Sequence, residues 1–416
     1  MKIAIVGAGI SGLTTAHLLH RDHEIVLFEA GDRIGGHSHT VDVQTEAGAL
    51  PVDTGFVVFN DRTYPNFRRL LAKIGVGEQP TSMSFSVHDE SSGLEYNGTS
   101  LDTLFAQRRN LFRPSFWRMI REILRFHREA PRLLEAEEGE LPLGEFLDRG
   151  RYAREFVDHY ILPMGGAIWS ASADRMRTFP ARFFVRFFMN HGMLSVGDRP
   201  QWKTVKGGSR SYVEALTRPF RDRIRLNSPV ERIDRDDGGT TVLVRGRPPE
   251  RFDKTIIAAH SDQALAMLAE PTREESEVLG AIAYQRNDTV LHTDGSVLPK
   301  SRRARAAWNA FLPKAAEERV TITYSGNILH GHDVATPLCV SLNRDAAIDP
   351  KKIAGRYVYH HPVFTTAATA AQARFRELNG KRHTYFAGAY WRYGFHEDGV
   401  LSALAVAEHF GVKEIA

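Results

Sequence analysis

Cysteine is almost missing from this chain of 416 residues, with Cys339 standing alone. No disulfide framework and no cysteine-based metal site can therefore be built. The 18 histidines include no H-x-x-x-H pair, and no other ligand spacing points to a bound metal. There is no unbroken apolar run of about twenty residues, the length a bilayer-spanning helix needs. A large charge excess is also lacking. The net charge is +4, from 54 Lys and Arg against 50 Asp and Glu, and no nucleic-acid partner is expected. The first apolar run begins at Lys2, which leaves no room for a secretory leader. The expected location is the cytoplasm, or the inner membrane surface if the basic segment described below lies on lipid. A hydrophobic fraction of 42% with 25% charged residues describes a globular protein with room for two intertwined domains.

What is present is concentrated in the first forty residues. Lys2–Val6 is a short apolar run rich in β-branched residues. Gly7-Ala8-Gly9-Ile10-Ser11-Gly12 follows, and a helical pattern begins at Leu13. Strand, G-x-G-x-x-G, helix is the order of a dinucleotide-binding turn. Gly7 permits the turn, Gly9 lets backbone approach a pyrophosphate, and Gly12 lets helix pack on strand. The helix N-terminus adds unpaired N–H groups and partial positive charge. A second strand, Glu24–Phe28, ends at Glu29 and Ala30, where a carboxylate can accept from a ribose diol.

Arg33-Ile34-Gly35-Gly36-His37-Ser38-His39-Thr40 resembles the R-x-G-G-x-x-x-T signature of the flavin amine oxidase and phytoene desaturase superfamily. The resemblance implies FAD as a resident cofactor. It further implies that Gly55 and Phe56 pass near the flavin ring, and that Val230 faces the adenine. Ala259 would end the strand leading back out of the nucleotide fold. Gly388 lies in the final FAD strand, and Glu397, Asp398 and Val400 lie in the loop that leads into the last helix, Leu401 to Phe410. The expected fold is α/β, a discontinuous Rossmann-type FAD domain with an α+β substrate domain. Residues 1–75, 206–275 and 376–416 would make the first. Residues 76–205 would form a helical part of the second and 276–375 its sheet. Cys339 lies in none of the flavin segments, so the cofactor is expected to be non-covalent, with a histidyl link at His37 as the alternative.

Leu104–Leu134 holds eight arginines interleaved with Phe105, Phe112, Phe116, Trp117, Ile120 and Phe126. Such a segment either lies on an anionic membrane or presents a solvated basic face. Glu135–Glu140 reads as a short acidic turn. Helical Pro180–Gly192 carries Phe183, Phe184, Phe187 and Phe188, either as core or as the wall of an apolar tunnel. As a whole the chain resembles a bacterial branch of the superfamily whose members resemble enzymes acting on fatty acyl chains. The implied activity is an FAD-dependent oxidoreductase that dehydrogenates a lipid or fatty acyl chain. The alternatives are an amine or amino-acid oxidase, and a non-catalytic flavin-binding partner of a lipid-modifying complex. His396 is the first candidate for a base, since imidazole suits proton transfer. Tyr390 and Tyr393 are candidates for positioning.

Overall fold

The computed structural model describes residues 1–135, 139–195, 197–314 and 319–415. Lys2–Val6 is buried on both faces, as the centre of a parallel sheet requires. Five parallel strands run in the order Ile224–Arg225, Glu24–Phe28, Lys2–Val6, Lys254–Ile257, Thr384–Phe386. Its strands come from three widely separated stretches of chain. The helix Ile10–Leu19 follows the first strand, and the helix His396–Ala407 packs against it. The last helix begins five residues before the Leu401 that the sequence pattern suggested. Gly399 had read as part of a loop. In the structure it lies in the first helical turn, where a Cβ would come within 2.6 Å of Ile10 Cγ2.

A second, seven-stranded sheet runs in the order Ile353–Val363, Ala283–His292, Cys339–Leu342, Thr321–Ser325, Trp308–Leu312, Phe85–Asp89, Leu94–Asn97. All its pairs are antiparallel except Trp308–Leu312 with Phe85–Asp89. A helical core of Phe126, Phe156, Trp169, Phe184 and Phe188 forms beside it. Here one of two sequence alternatives is decided. In Ala181–Asn190, Phe184, Phe187 and Phe188 are core, so this helix is not a tunnel wall. The arginine-rich stretch is divided into several helical pieces. Pro114, which has no amide hydrogen to continue a preceding turn, starts a fresh helix, Pro114–Glu129. Of the expected acidic turn, residues 136–138 lie outside the described residues.

Buried polar joints tie the layers together. Asp53 accepts from Thr40 Oγ1 (2.6 Å), Ser209 Oγ (2.6 Å) and the Ser209 amide (3.0 Å). Its own amide donates to His330 Nε2 at 3.1 Å, so that nitrogen is unprotonated. Arg235 and Glu275 form an ion pair whose side chains are both almost fully buried. Glu275 also accepts from the Thr272 amide at 2.8 Å. Removing one member of such a pair strands the other charge. Glu275→Ala should therefore cost about 3–5 kcal/mol, read as a lower urea midpoint at unchanged slope.

Candidate active site

The turn after the first strand is made of three glycines held for different reasons. Gly7 has φ +104°, and a Cβ there would meet Ala258 O at 2.7 Å. At Gly12 a Cβ would lie 1.9 Å from Gly7 O. At Gly9 nothing stands within 4 Å. Gly9 is thus the position where backbone is bare for the sake of something outside the fold. Glu29 closes the turn by accepting from the amides of Ala8 (2.8 Å) and Gly31 (2.9 Å). Arg33 does not reach the cavity. Its guanidinium donates to Gly36 O at 2.7 Å and shapes the next turn. In that turn Gly35 donates to Ala8 O, and Gly36 (φ +58°) sits against Gly9, where its Cβ would be 3.0 Å from Gly9 Cα.

A cavity of about 820 Å³ runs from this turn into the space between the two sheets. That is toward the upper end of the range for ligand pockets, about 300–1,000 Å³. Of the residues expected to hold the cofactor, Gly7, Ala8, Gly9, Ile10, Ser11, Glu29, Ala30, Gly36, His37, Gly55, Phe56, Val230, Ala259 and Gly388 all line it. Gly12, Arg33, Gly35, Glu397, Asp398 and Val400 do not. Val400 is core. The carboxylate of Glu397 accepts from the amides of Asn66 (3.1 Å) and Phe67 (2.9 Å) and so caps the helix Pro65–Lys73. Asp398 accepts from the Tyr393 and Phe395 amides at 3.2 and 3.0 Å. The carboxylates of both are thus taken up by the fold, and neither lines the cavity.

A dinucleotide fits what is left. The cavity offers the bare backbone at Gly9, the orphan amides of the first helix and the Glu29 carboxylate. It also offers two unpartnered buried atoms, His37 Nε2 and Tyr390 Oη, on residues that line it. The family described as flavin containing amine oxidoreductase matches residues 10–320 of this chain. The chain belongs to that family. Its members are FAD-dependent oxidoreductases, and FAD is the cofactor of this chain.

Among curated relatives, AofH of Mycobacterium tuberculosis (strain ATCC 25618 / H37Rv), a flavin-containing monoamine oxidase by name, is 30% identical over 251 residues. That match covers 58% of this chain and 53% of the relative, so the chain spans about half that relative's length. Coproporphyrinogen III oxidase of Mycobacterium leprae (strain TN) is 24% identical over 341 residues, covering 73% and 71% of the two chains. The crystal structure of a CLA-producing fatty acid isomerase from P. acnes superposes with a TM-score of 0.71 at 15% identity, covering 98% of each chain. At that identity the likeness shows the fold alone.

His396 lies at the start of the last helix, but not as a free base. Its ring stacks on Phe56 with centroids 3.5 Å apart. Nε2 is shared with Ser38 Oγ (2.9 Å) and Tyr212 Oη (3.2 Å). Burial pushes the imidazole down to about 3. The imidazole is therefore neutral at neutral pH, lines the cavity, and has its Nε2 engaged by two hydroxyls. Tyr393 packs on Phe183 with ring centroids 4.5 Å apart and planes tilted by 44°, and its carbonyl accepts from Trp169 Nε1. Tyr390 keeps its phenol far above the usual range through burial, so it remains an O–H donor.

Three residues lining the cavity had no assigned role in the sequence reading: His260, His361 and Tyr284. His37 stands 5.3 Å from His361 and 6.4 Å from His260, centroid to centroid. His260 stacks on Tyr284 at 4.3 Å. Burial, with neighbouring histidines, pushes His361 down to about 4 and His37 well below its ordinary value. His361 also has a fixed tautomer. The Asp288 amide donates to Asn343 Oδ1, and Asn343 Nδ2 donates to Asn287 Oδ1. Asn287 Nδ2 must then donate to His361 Nδ1, at 2.9 Å. The ring proton is left on Nε2, which has no protein partner among the described residues. The only sequence signal was strand alternation at His360-His361, which turns one outward and one inward. His360 is the exposed one.

The glycines predict a clean contrast. Gly9→Val should leave the stability of the cofactor-free protein within about 0.5 kcal/mol while the flavin-to-protein absorbance ratio falls at least tenfold. Gly12→Val should fail to fold stably. A second expectation concerns acid. The folded chain refuses protons that unfolded histidines, ordinary value 6.5, accept. Unfolding then binds protons between about pH 6.5 and 4, and stability falls as pH drops through that window. Glu397 and Asp398, both raised by burial, work in the opposite sense but are outnumbered. The urea midpoint should decline from pH 7 to pH 5 and be flat from pH 7 to 8.5.

Proposed function

We propose that this protein is an FAD-dependent oxidoreductase that removes two hydrogens from an apolar, acyl-type substrate. The proposal includes the five-segment division of the chain into a cofactor domain and a substrate domain. One observation carries the substrate class. Beyond Gly55 and Phe56 the cavity is walled by Ile168, Trp169, Tyr324, Leu329, Val340 and Phe364. The one carboxylate there, Asp53, has both oxygens taken by Thr40 and Ser209. The other carboxylates and the one guanidinium lining the cavity are Glu29, Glu231 and Arg245, at the nucleotide end, and Glu231 pairs with Arg245. A substrate ammonium or carboxylate would thus find no counter-charge and would be buried unpaired, which is costly. A methylene chain would find apolar surface.

Bound FAD supplies the two-electron acceptor that such a reaction needs. The chain's own groups do the rest. The apolar wall excludes water and lets the substrate chain lie along it. The Nε2–H of His361 and the Oη–H of Tyr390 are donors, suited to a substrate carbonyl or ester oxygen. A hydrogen bond there would lower the cost of passing a proton from the adjacent carbon to a neutral cavity histidine, for which His37 offers an unpartnered Nε2. With the neighbouring histidines held neutral, donor and acceptor roles stay fixed across neutral pH.

The test is anaerobic mixing of the FAD-loaded protein with a fatty acyl ester, a primary amine or an amino acid. Bleaching of the flavin by the acyl compound alone is expected. Bleaching by the amine or the amino acid alone would overturn the substrate class, and bleaching by none would overturn the activity. His361→Leu should slow acyl-driven bleaching roughly tenfold, from the loss of one buried donor, with FAD content unchanged.

A further inference from the structure

The arginine-rich segment has two faces, and they do different things. In the helix Pro114–Glu129, Phe116, Met119 and Phe126 are buried. Phe116 and Met119 pack on Val87, Leu94, Tyr96 and Phe105, and Phe126 joins the helical core. The apolar stripe that had suggested a lipid-facing helix therefore faces the protein. On the opposite face, Trp117, Arg121, Leu124 and Arg128 follow one another at spacings of four, three and four, which puts them in one line. All four are exposed.

That line continues into the turn ahead of it. Leu101 is 77% exposed, Leu111 42%, Phe112 87%, Trp117 45% and Leu124 50%. Among the described residues only nine large hydrophobic side chains are exposed, and five of them fall in these 24 positions. The charges between them are of one sign in excess. Arg113, Arg121 and Arg132 have no carboxylate partner among the described residues, nor has Arg302 on the adjoining turn Arg302–Ala304. Arg109 donates to the Gly93 carbonyl and not to an acid. None of the five exposed apolar residues lines the cavity. The tryptophan donates from Nε1 to Leu111 O at 2.9 Å, which holds its ring across the turn.

We propose that the face formed by Leu101, Leu111, Phe112, Trp117 and Leu124, with Arg113 and Arg121, docks on the surface of an anionic phospholipid bilayer. Charge complementarity selects this occupant. Guanidinium groups pair with phosphate oxygens in a fork. Protruding Phe and Leu enter the boundary between headgroups and acyl chains, and Trp prefers that boundary. No helix among the described residues is long and apolar enough to cross a membrane, so the association is peripheral. It does not depend on the substrate proposed above, and its failure would leave that proposal standing.

The experiment is co-sedimentation of the FAD-loaded protein with two kinds of vesicle, pure phosphatidylcholine and phosphatidylcholine mixed with phosphatidylglycerol, at low and high salt. Binding to the mixed vesicles only, weakening as salt screens the surface charge, is expected. Arg113→Gln with Arg121→Gln should weaken it about fivefold per arginine. Leu101→Ser with Phe112→Ser should weaken it at least tenfold. Both pairs of side chains reach solvent, so FAD content should match the parent and report that the fold is intact. Three outcomes would overturn the proposal. One is no sedimentation with either vesicle. Another is equal binding to both, untouched by the substitutions. The third is a vesicle-independent dimer that Phe112→Ser dissolves, which would make the face a contact between two copies of the chain.

Discussion

Everything in the site depends on how closely the last helix can approach the first. Gly399 makes that approach possible, since a Cβ would collide with Ile10 and Ser11. Ser402, on the same helix, donates to the Gly399 carbonyl and accepts from the Gly388 amide, which ties the helix to the end of the last parallel strand. The contact brings residues near position 400 to the glycine turn at positions 7–12. Phe395 and His396 line the same cavity as Gly9. Without that contact the parallel sheet would still form from its own pairings, but the cavity would lose a wall.

Burial then sets the electrostatic character of the site. Charged side chains near the cavity are satisfied by the fold itself: Asp53 by Ser209 and Thr40, Glu397 by the helix at Asn66, Asp398 by two amides. The histidines that remain are held neutral by desolvation and by one another. The result is an apolar chamber with fixed donors rather than a charged pocket. Such a site distinguishes substrates by whether they carry a charge, because an unpaired buried charge costs more than several methylene groups return.

The parts of this arrangement legible in the sequence are those whose cause is local. The turn at Gly7–Gly12 and the fold at Arg33–Gly36 are each set by a few consecutive residues. So are the short strands that bracket them. What could not be read came from contacts between distant segments. Glu397 and Asp398 look like cofactor residues because they lead into a helix, yet Glu397 is consumed by a helix more than three hundred positions earlier in the chain. The tautomer of His361 is set by Asn287 and Asn343 on other strands. The start of the last helix was misplaced because a glycine in its first turn makes sense only against Ile10. Along Pro114–Glu129 the helical period was right, but period alone does not say which face meets the protein.

A crystal structure of the FAD-loaded protein with a bound long-chain acyl ester would test the central claim most directly. The flavin ring is expected beside Gly55 and Phe56. The acyl chain is expected along Ile168, Trp169 and Phe364, and the ester oxygen within hydrogen-bonding distance of His361 Nε2 or Tyr390 Oη. A ring placed elsewhere, or an acyl chain excluded from that wall while a charged substrate enters it, would contradict the account.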